Sequence, residues 1–129
     1  MASTLPMLSC KNEDEESRNR TKDGLSGVDA LIMYTGKLPE KYVTSPIARS
    51  YGWKPKKGNL DKVLPEKSIG GDVFYNGEDK LPQKYDRIWY EADIDYISGY
   101  RNDSRILYSN DGLIFVTYDH YKTFYEITN

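Results

Sequence analysis

Residues 87 to 121 read R-I-W-Y-E-A-D-I-D-Y-I-S-G-Y-R-N-D-S-R-I-L-Y-S-N-D-G-L-I-F-V-T-Y-D-H-Y. Three runs rich in β-branched and aromatic residues are separated by Ser98-Gly99 and Asn110-Asp111-Gly112, the punctuation that reverses a chain. The stretch reads as an antiparallel meander. Because successive strand side chains point to opposite faces, Ile88, Tyr90, Ala92 and Ile94 share one side, and Trp89, Glu91 and Asp93 share the other. The same stretch holds Arg101 and Arg105 around a turn and His120, the only histidine, just past a strand end. A base, an acid and two fixed positive charges suit phosphoryl transfer without a metal. Glu91 alone would read as a solvated carboxylate; its three neighbours weigh against that.

Upstream of the meander, Ser68 to Phe74 reads as the first strand, with Gly70-Gly71 allowing a bulge or a close backbone approach. Tyr75-Asn76-Gly77-Glu78 follows as a tight loop, since Asn-Gly favours positive backbone dihedrals. The last strand falls near Thr123 to Ile127. Towards the N-terminus, Leu25, Val28, Leu31 and Ile32 recur at helical spacing, with Ser26 or Asp23 as a cap and Gly36 as the stop. A second helix begins at Thr44 or Ser45 with Pro46 in its first turn, turning Ile47, Ala48 and Tyr51 inward. Asn59 caps a short third helix running to Leu64. Lys54-Pro55-Lys56-Lys57-Gly58 between them reads as a basic, solvated connection. Helices first and a meander after predict an α+β fold, the helices packed on one face of an antiparallel sheet.

The chain has 129 residues, 38% of them hydrophobic, which suits one domain with a modest core. Tyr occurs 12 times and Phe 3 times, so much of that core carries a polar tip. The formal net charge of −2 weighs against a tight, non-specific binder of duplex DNA. It weighs less against an enzyme that holds one or two phosphates, because local charge in a cleft matters more than the sum. One Cys and one His exclude an internal disulfide and a Cys/His zinc site. No metal site, cofactor motif or transmembrane span is predicted.

Residues 1 to 23 lack core periodicity, and Lys11 to Glu16 is polar and charged, so this segment is expected to be a disordered leader or tail. Leu8-Ser9-Cys10 resembles a bacterial lipoprotein cleavage site, without the basic leader of an intact signal peptide. Export with a lipid on Cys10, an ordinary leader remnant and a cytosolic tail all stay open on these residues.

Six ordered runs carry a resemblance to a known family: K-L-P-E-K-Y at 37–42, G-W-K-P-K-K-G-N-L at 52–60, K-S-I-G-G-D-V-F at 67–74, E-A-D-I-D-Y-I-S-G-Y-R-N at 91–102, R-I-L-Y-S at 105–109 and D-H-Y-K-T-F at 119–124. In these runs the chain resembles barnase and its relatives, the small, secreted, guanyl-preferring ribonucleases of bacteria. The resemblance implies a ribonuclease domain over 24–129 that cleaves single-stranded RNA after guanosine through a 2′,3′-cyclic phosphate. It implies Glu91 as general base, His120 as general acid, and Arg101 and Arg105 as phosphate-binding groups. Phe74, Tyr75, Asn76 and Glu78 match the guanine-binding loop, and Tyr121 stands beside the acid, where it can stack or hydrogen-bond near substrate. A monomer without cofactor, inhibited by a small acidic protein of the barstar type, is expected. Reference pKa values of about 4.3 for Glu and about 6.5 for His allow both protonation states in mildly acidic solution.

Two departures stand out. Relatives commonly carry Lys where this chain has Ser45 and Arg where it has Gly77, so weaker catalysis, looser substrate binding and weaker inhibition are expected, with Arg49 one helical turn after Ser45 as a partial substitute. The rival functions are a glycosidase using Glu91 and Asp93 as paired carboxylates and a catalytically silent RNA- or guanine-binding module of the same fold. The first leaves both arginines and the histidine unexplained. The second has no need of both an acid and a base.

Overall fold

The structure, a computed structural model, describes residues 21–22 and 26–128. Residues 1–20 of the expected leader, Asp23 and Leu25 lie outside the described residues, Cys10 among them, whereas Thr21–Lys22, also expected in the leader, form a strand. Among the described residues eight strands and three α-helices follow in order. A two-stranded sheet pairs β1 (Thr21–Lys22) with β2 (Ser26–Gly27), and α1 (Val28–Thr35) comes next. Then come β3 (Tyr42–Val43), α2 (Ser45–Ser50), a 3-10 turn at Pro55–Lys57, and α3 (Leu60–Val63). The remainder is β4 (Ser68–Phe74), β5 (Trp89–Asp93), β6 (Arg105–Ser109), β7 (Ile114–Thr117) and β8 (Tyr125–Glu126).

The main sheet has the order β3-β4-β5-β6-β7-β8. From β4 onward every neighbour is antiparallel, which is the expected meander; β3 adds a parallel strand at the edge that the sequence reading lacked. Two residues are too few for periodicity to mark a strand. The register joins the expected faces across the sheet. Ala92, Ile106 and Val116 line up on one side, and Asp72, Glu91, Leu107 and Phe115 on the other. Gly70-Gly71 does both things foreseen for it. A Cβ at Gly70 would sit 2.5 Å from the Tyr42 ring and 2.6 Å from the Ala92 Cβ, and the bulge after it passes through Gly71 at φ 102°.

α1 packs on the first sheet face, where Val28 and Ile32 meet Ala92, Ile94, Ile106 and Val116. It is shorter than the periodicity suggested, with Gly27 at its N-terminus and Leu31 exposed, because two turns bury only a narrow stripe. Gly36 ends it in the left-handed region, as expected. α2 turns only Ala48 inward; Ile47 and Tyr51 are exposed. Ala48, Trp53, Leu60, Ile69 and Tyr96 form a second core where α2 and α3 meet the sheet. Asn59 precedes α3 but makes no cap hydrogen bond; its Oδ1 accepts from the Lys54 N–H, and its Nδ2 donates to the Gly52 carbonyl. On the other sheet face Trp89, Leu107 and Leu81 are buried with Phe74, Phe115, Tyr121 and Phe124 around them. No described helix is long and apolar enough to cross a membrane.

Candidate active site

The second sheet face carries the candidate residues. Glu91 lies mid-strand on β5, between Asp72 of β4 and Leu107 of β6, and is half-buried. Tyr121 donates a short hydrogen bond from its hydroxyl to Glu91 Oε1, and no described residue donates to Oε2. Burial raises the Glu91 pKa above its ordinary 4.5; the Tyr121 hydrogen bond and the charges of Arg101 and Arg105 oppose that rise, and Asp72 adds to it. A carboxylate whose proton affinity is lifted this way is a stronger base at the pH where it works.

Asp93, two residues along the same face, has no exposed surface. Arg101 grips it with Nε to Oδ2 at 2.8 Å and Nη2 to Oδ1 at 2.6 Å, leaving Nη1 without a protein acceptor among the described residues. Arg105 Nε lies 3.1 Å from Asp93 Oδ1, close enough to pair, although the N–H is not aimed for a hydrogen bond. Arg105 is only 3% exposed, and its Nη1 donates to the Asn102 and Ser104 carbonyls. The two arginines therefore differ. Arg101 is part-exposed, whereas Arg105 is enclosed and holds the buried carboxylate. Asp93 is committed to both, which removes the paired-carboxylate reading.

His120 and Tyr121 follow β7 at φ 58° and 74°, left-handed geometry that is uncommon for bulky non-glycine residues and that their surroundings must hold. Asp119 supplies the hold. Its Oδ1 accepts from Thr117 Oγ1 and from the N–H groups of Lys122 and Thr123, and backbone hydrogen bonding above all, despite an opposing desolvation cost, pulls its pKa down to about 2. The His120 N–H donates to the Asp103 carbonyl, tying this loop to the arginine loop.

Tyr121 is the centre of the site. Besides Glu91, its ring meets His120 edge-on at 4.9 Å, stacks on Phe74 at 5.3 Å, and lies 5.9 Å below the Arg105 guanidinium. Phe74, Asn76, Gly77, Glu78, His120 and Tyr121 line one cavity of about 420 Å³ with Lys80, Lys122 and Phe124. So the structure brings together nearly all the residues the sequence singled out. Two of the expected base-binding side chains are placed otherwise. Asn76 is buried at φ 52° and is consumed by Leu81, donating to its carbonyl and accepting from its N–H, so it builds the loop. Tyr75 is 84% exposed and does not line the cavity. The N–H groups of Gly77 and Glu78 donate to no protein oxygen among the described residues. Lys80 was missed. It pairs with Glu78 at 3.3 Å and reaches the Tyr121 and Lys122 carbonyls, so a cation does stand at this loop, paired with the loop's own carboxylate. Among the described residues no group of three or more His, Cys, Asp and Glu could hold a metal ion.

The sequence pattern of the ribonuclease family matches residues 28–128. The chain belongs to the ribonuclease family. It is an RNA-cleaving enzyme of the small microbial type, and the α+β fold agrees with that. A ribonuclease of Heyndrickxia coagulans is 52% identical over 107 residues, covering 83% of this chain and 95% of that one. Ribonucleases of Bacillus intermedius and Bacillus pumilus are equally similar at 52% over 107 residues, and there the match spans 64% of their length.

Proposed function

We propose that this ribonuclease, acting as a monomer, cleaves single-stranded RNA after guanosine by metal-independent acid-base transesterification. One observation carries the reading: a single tyrosine ring contacts the carboxylate, the imidazole, a guanidinium and the wall of the base cavity. Glu91 takes the proton of the ribose 2′-OH, the 2′-oxygen attacks phosphorus, and His120 gives a proton to the departing 5′-oxygen. Arg101 Nη1 and the charge of Arg105 stabilise the oxygens of the five-coordinate phosphorus. Water then opens the 2′,3′-cyclic phosphate with the two roles reversed. In the base cavity the free N–H groups of Gly77 and Glu78 suit the guanine O6 acceptor, and the Glu78 carboxylate suits its N1 and N2 donors.

Turnover of guanylyl and adenylyl dinucleotides in the presence of a chelator tests this. Glu91→Ala and His120→Ala should each lower the guanylyl rate about 10² to 10⁴-fold while the protein stays folded. Glu78→Gln should cost the guanylyl substrate far more than the adenylyl one. Normal cleavage by either alanine variant, or equal losses in the Glu78 variant, would overturn the assignment. An acidic inhibitor of the barstar type is the partner that Arg101, Lys80 and Lys122 suit, and titration of activity with barstar tests it. Secretion is proposed with the ribonuclease reading, and a lipid on Cys10 rests on Leu8-Ser9-Cys10; palmitate labelling that persists in Cys10→Ser would sink the lipid anchor.

A further inference from the structure

The chain is net acidic, yet cations gather beside the site on a loop that catalysis leaves unused. Lys54, Lys56 and Lys57, on and next to the 3-10 turn, are exposed and have no carboxylate within ion-pairing distance among the described residues. Two contacts join this loop to the catalytic cleft. The Trp53 ring, itself buried, carries Arg101 at 5.8 Å and Arg49 of α2 at 5.4 Å. A cation of the site and a cation of the lysine side thus share one indole. On the other flank Tyr100, the neighbour of Arg101, closes on Gly58. A Cβ there would meet the ring Cγ at 3.0 Å and both Cδ atoms at 3.1 Å, while the tyrosine stays 68% exposed.

A row of unpaired cations with a fixed, exposed aromatic ring is what a groove for single-stranded nucleic acid uses: charge for the phosphates and a flat face for a base. A merely solvated lysine loop needs neither the shared indole nor the ring held against glycine. An acidic protein would use the cations but has no use for the open ring. We propose that Arg49, Lys54, Lys56, Lys57 and Tyr100 form a secondary subsite that holds RNA phosphates and one base beyond the scissile dinucleotide. This rests on the ribonuclease reading only in taking Arg101 as the point where the track meets the reacting phosphate.

The full chain is tested as parent, as Lys56→Glu/Lys57→Glu and as Tyr100→Ala, on guanylyl-uridine and on a nonanucleotide with one central guanosine. The double variant should keep kcat/KM on the dinucleotide within about twofold and lose roughly tenfold on the nonanucleotide. Its slope of log affinity against log salt should shrink by about 1.4, since each single-strand phosphate contact contributes about 0.7. Tyr100→Ala should lose about tenfold on the nonanucleotide alone, without changing that slope. Equal losses on both substrates, or none on the nonanucleotide, would overturn the subsite. Nonanucleotide binding to the same changes made on His120→Ala, followed by fluorescence anisotropy, separates this from the guanosine reading. Weaker binding there supports the track even if the parent cleaves no guanylyl dinucleotide. Unchanged binding, including the case where only the grip of an acidic protein is lost, overturns it.

Discussion

In the role proposed above, Glu91 would serve chemistry at the expense of the fold. Its pKa is raised first by burial, so the ionised form is less favoured in the folded protein than in the unfolded chain. The sign follows: Glu91 adds stability only when protonated, and costs stability as pH rises through its folded pKa. Glu91→Gln should therefore melt at a higher temperature than the parent at pH 7, although nearly inactive, and the gain should fade towards pH 4 in calorimetric scans. Asp93 and Arg105 represent the opposite case. Removing the Arg105 guanidinium leaves a fully buried carboxylate with Arg101 alone, so Arg105→Ala should cost about 3–5 kcal/mol in denaturant unfolding. Arg101 is part-exposed, and its loss should fall mainly on kcat.

At the scale of elements, the loop after β7 concentrates the risk. Two non-glycine residues in succession sit at positive φ, and Asp119 with Thr117 holds them there. Asp119→Ala should lower kcat about tenfold or more while the sheet stays intact, and a crystal structure should show His120 displaced. The parent should in addition lose the Asp119 contribution between pH 3.8 and about 2, because a depressed carboxylate pKa stabilises only above that window. Much of this level was legible in the sequence. Alternation in Ile88 to Ile94 placed Glu91 and Asp93 on one face, opposite Ala92 and Ile94, and Gly70-Gly71 marked the bulge. Short-range spacing could not show that Tyr121 reaches back 30 residues to Glu91, or that Lys80 reaches forward 41 to the same loop. Nor could it show Asn76 turning inward, since an Asn before Gly reads the same whether it faces the base or its own loop.

For the molecule as a whole the question is where the charge stands. Ser45 begins α2, and both its N–H and its hydroxyl donate to Asp72, the residue paired with Glu91 across the strands. A lysine there reaches the neighbourhood of the base and the transferring phosphate, so Ser45→Lys should raise kcat. Its charge should also lower the Glu91 pKa and move the acidic limb of the pH profile downward. Gly77 accepts a side chain freely: it has no positive φ and an added Cβ touches nothing within 4 Å. Gly77→Arg should then tighten RNA binding without loss of melting temperature, by an amount that shrinks as salt screens it. A lower melting temperature, or a salt-independent gain, would show that the new arginine acts through the loop rather than through its field.

The stack of Tyr121 on Phe74 has a kinetic meaning. In the mechanism proposed above, a base in the cavity lies against Phe74 and against the Tyr121 ring whose hydroxyl bonds Glu91, so recognition and proton transfer share one side chain. On that mechanism, a poorly seated base would disturb the ring and the proton acceptor it holds. Discrimination between guanosine and adenosine should thus be written in turnover as well as in affinity, and in Phe74→Leu, where the ring has lost its stacking partner, the ratio of the two kcat values should fall towards one.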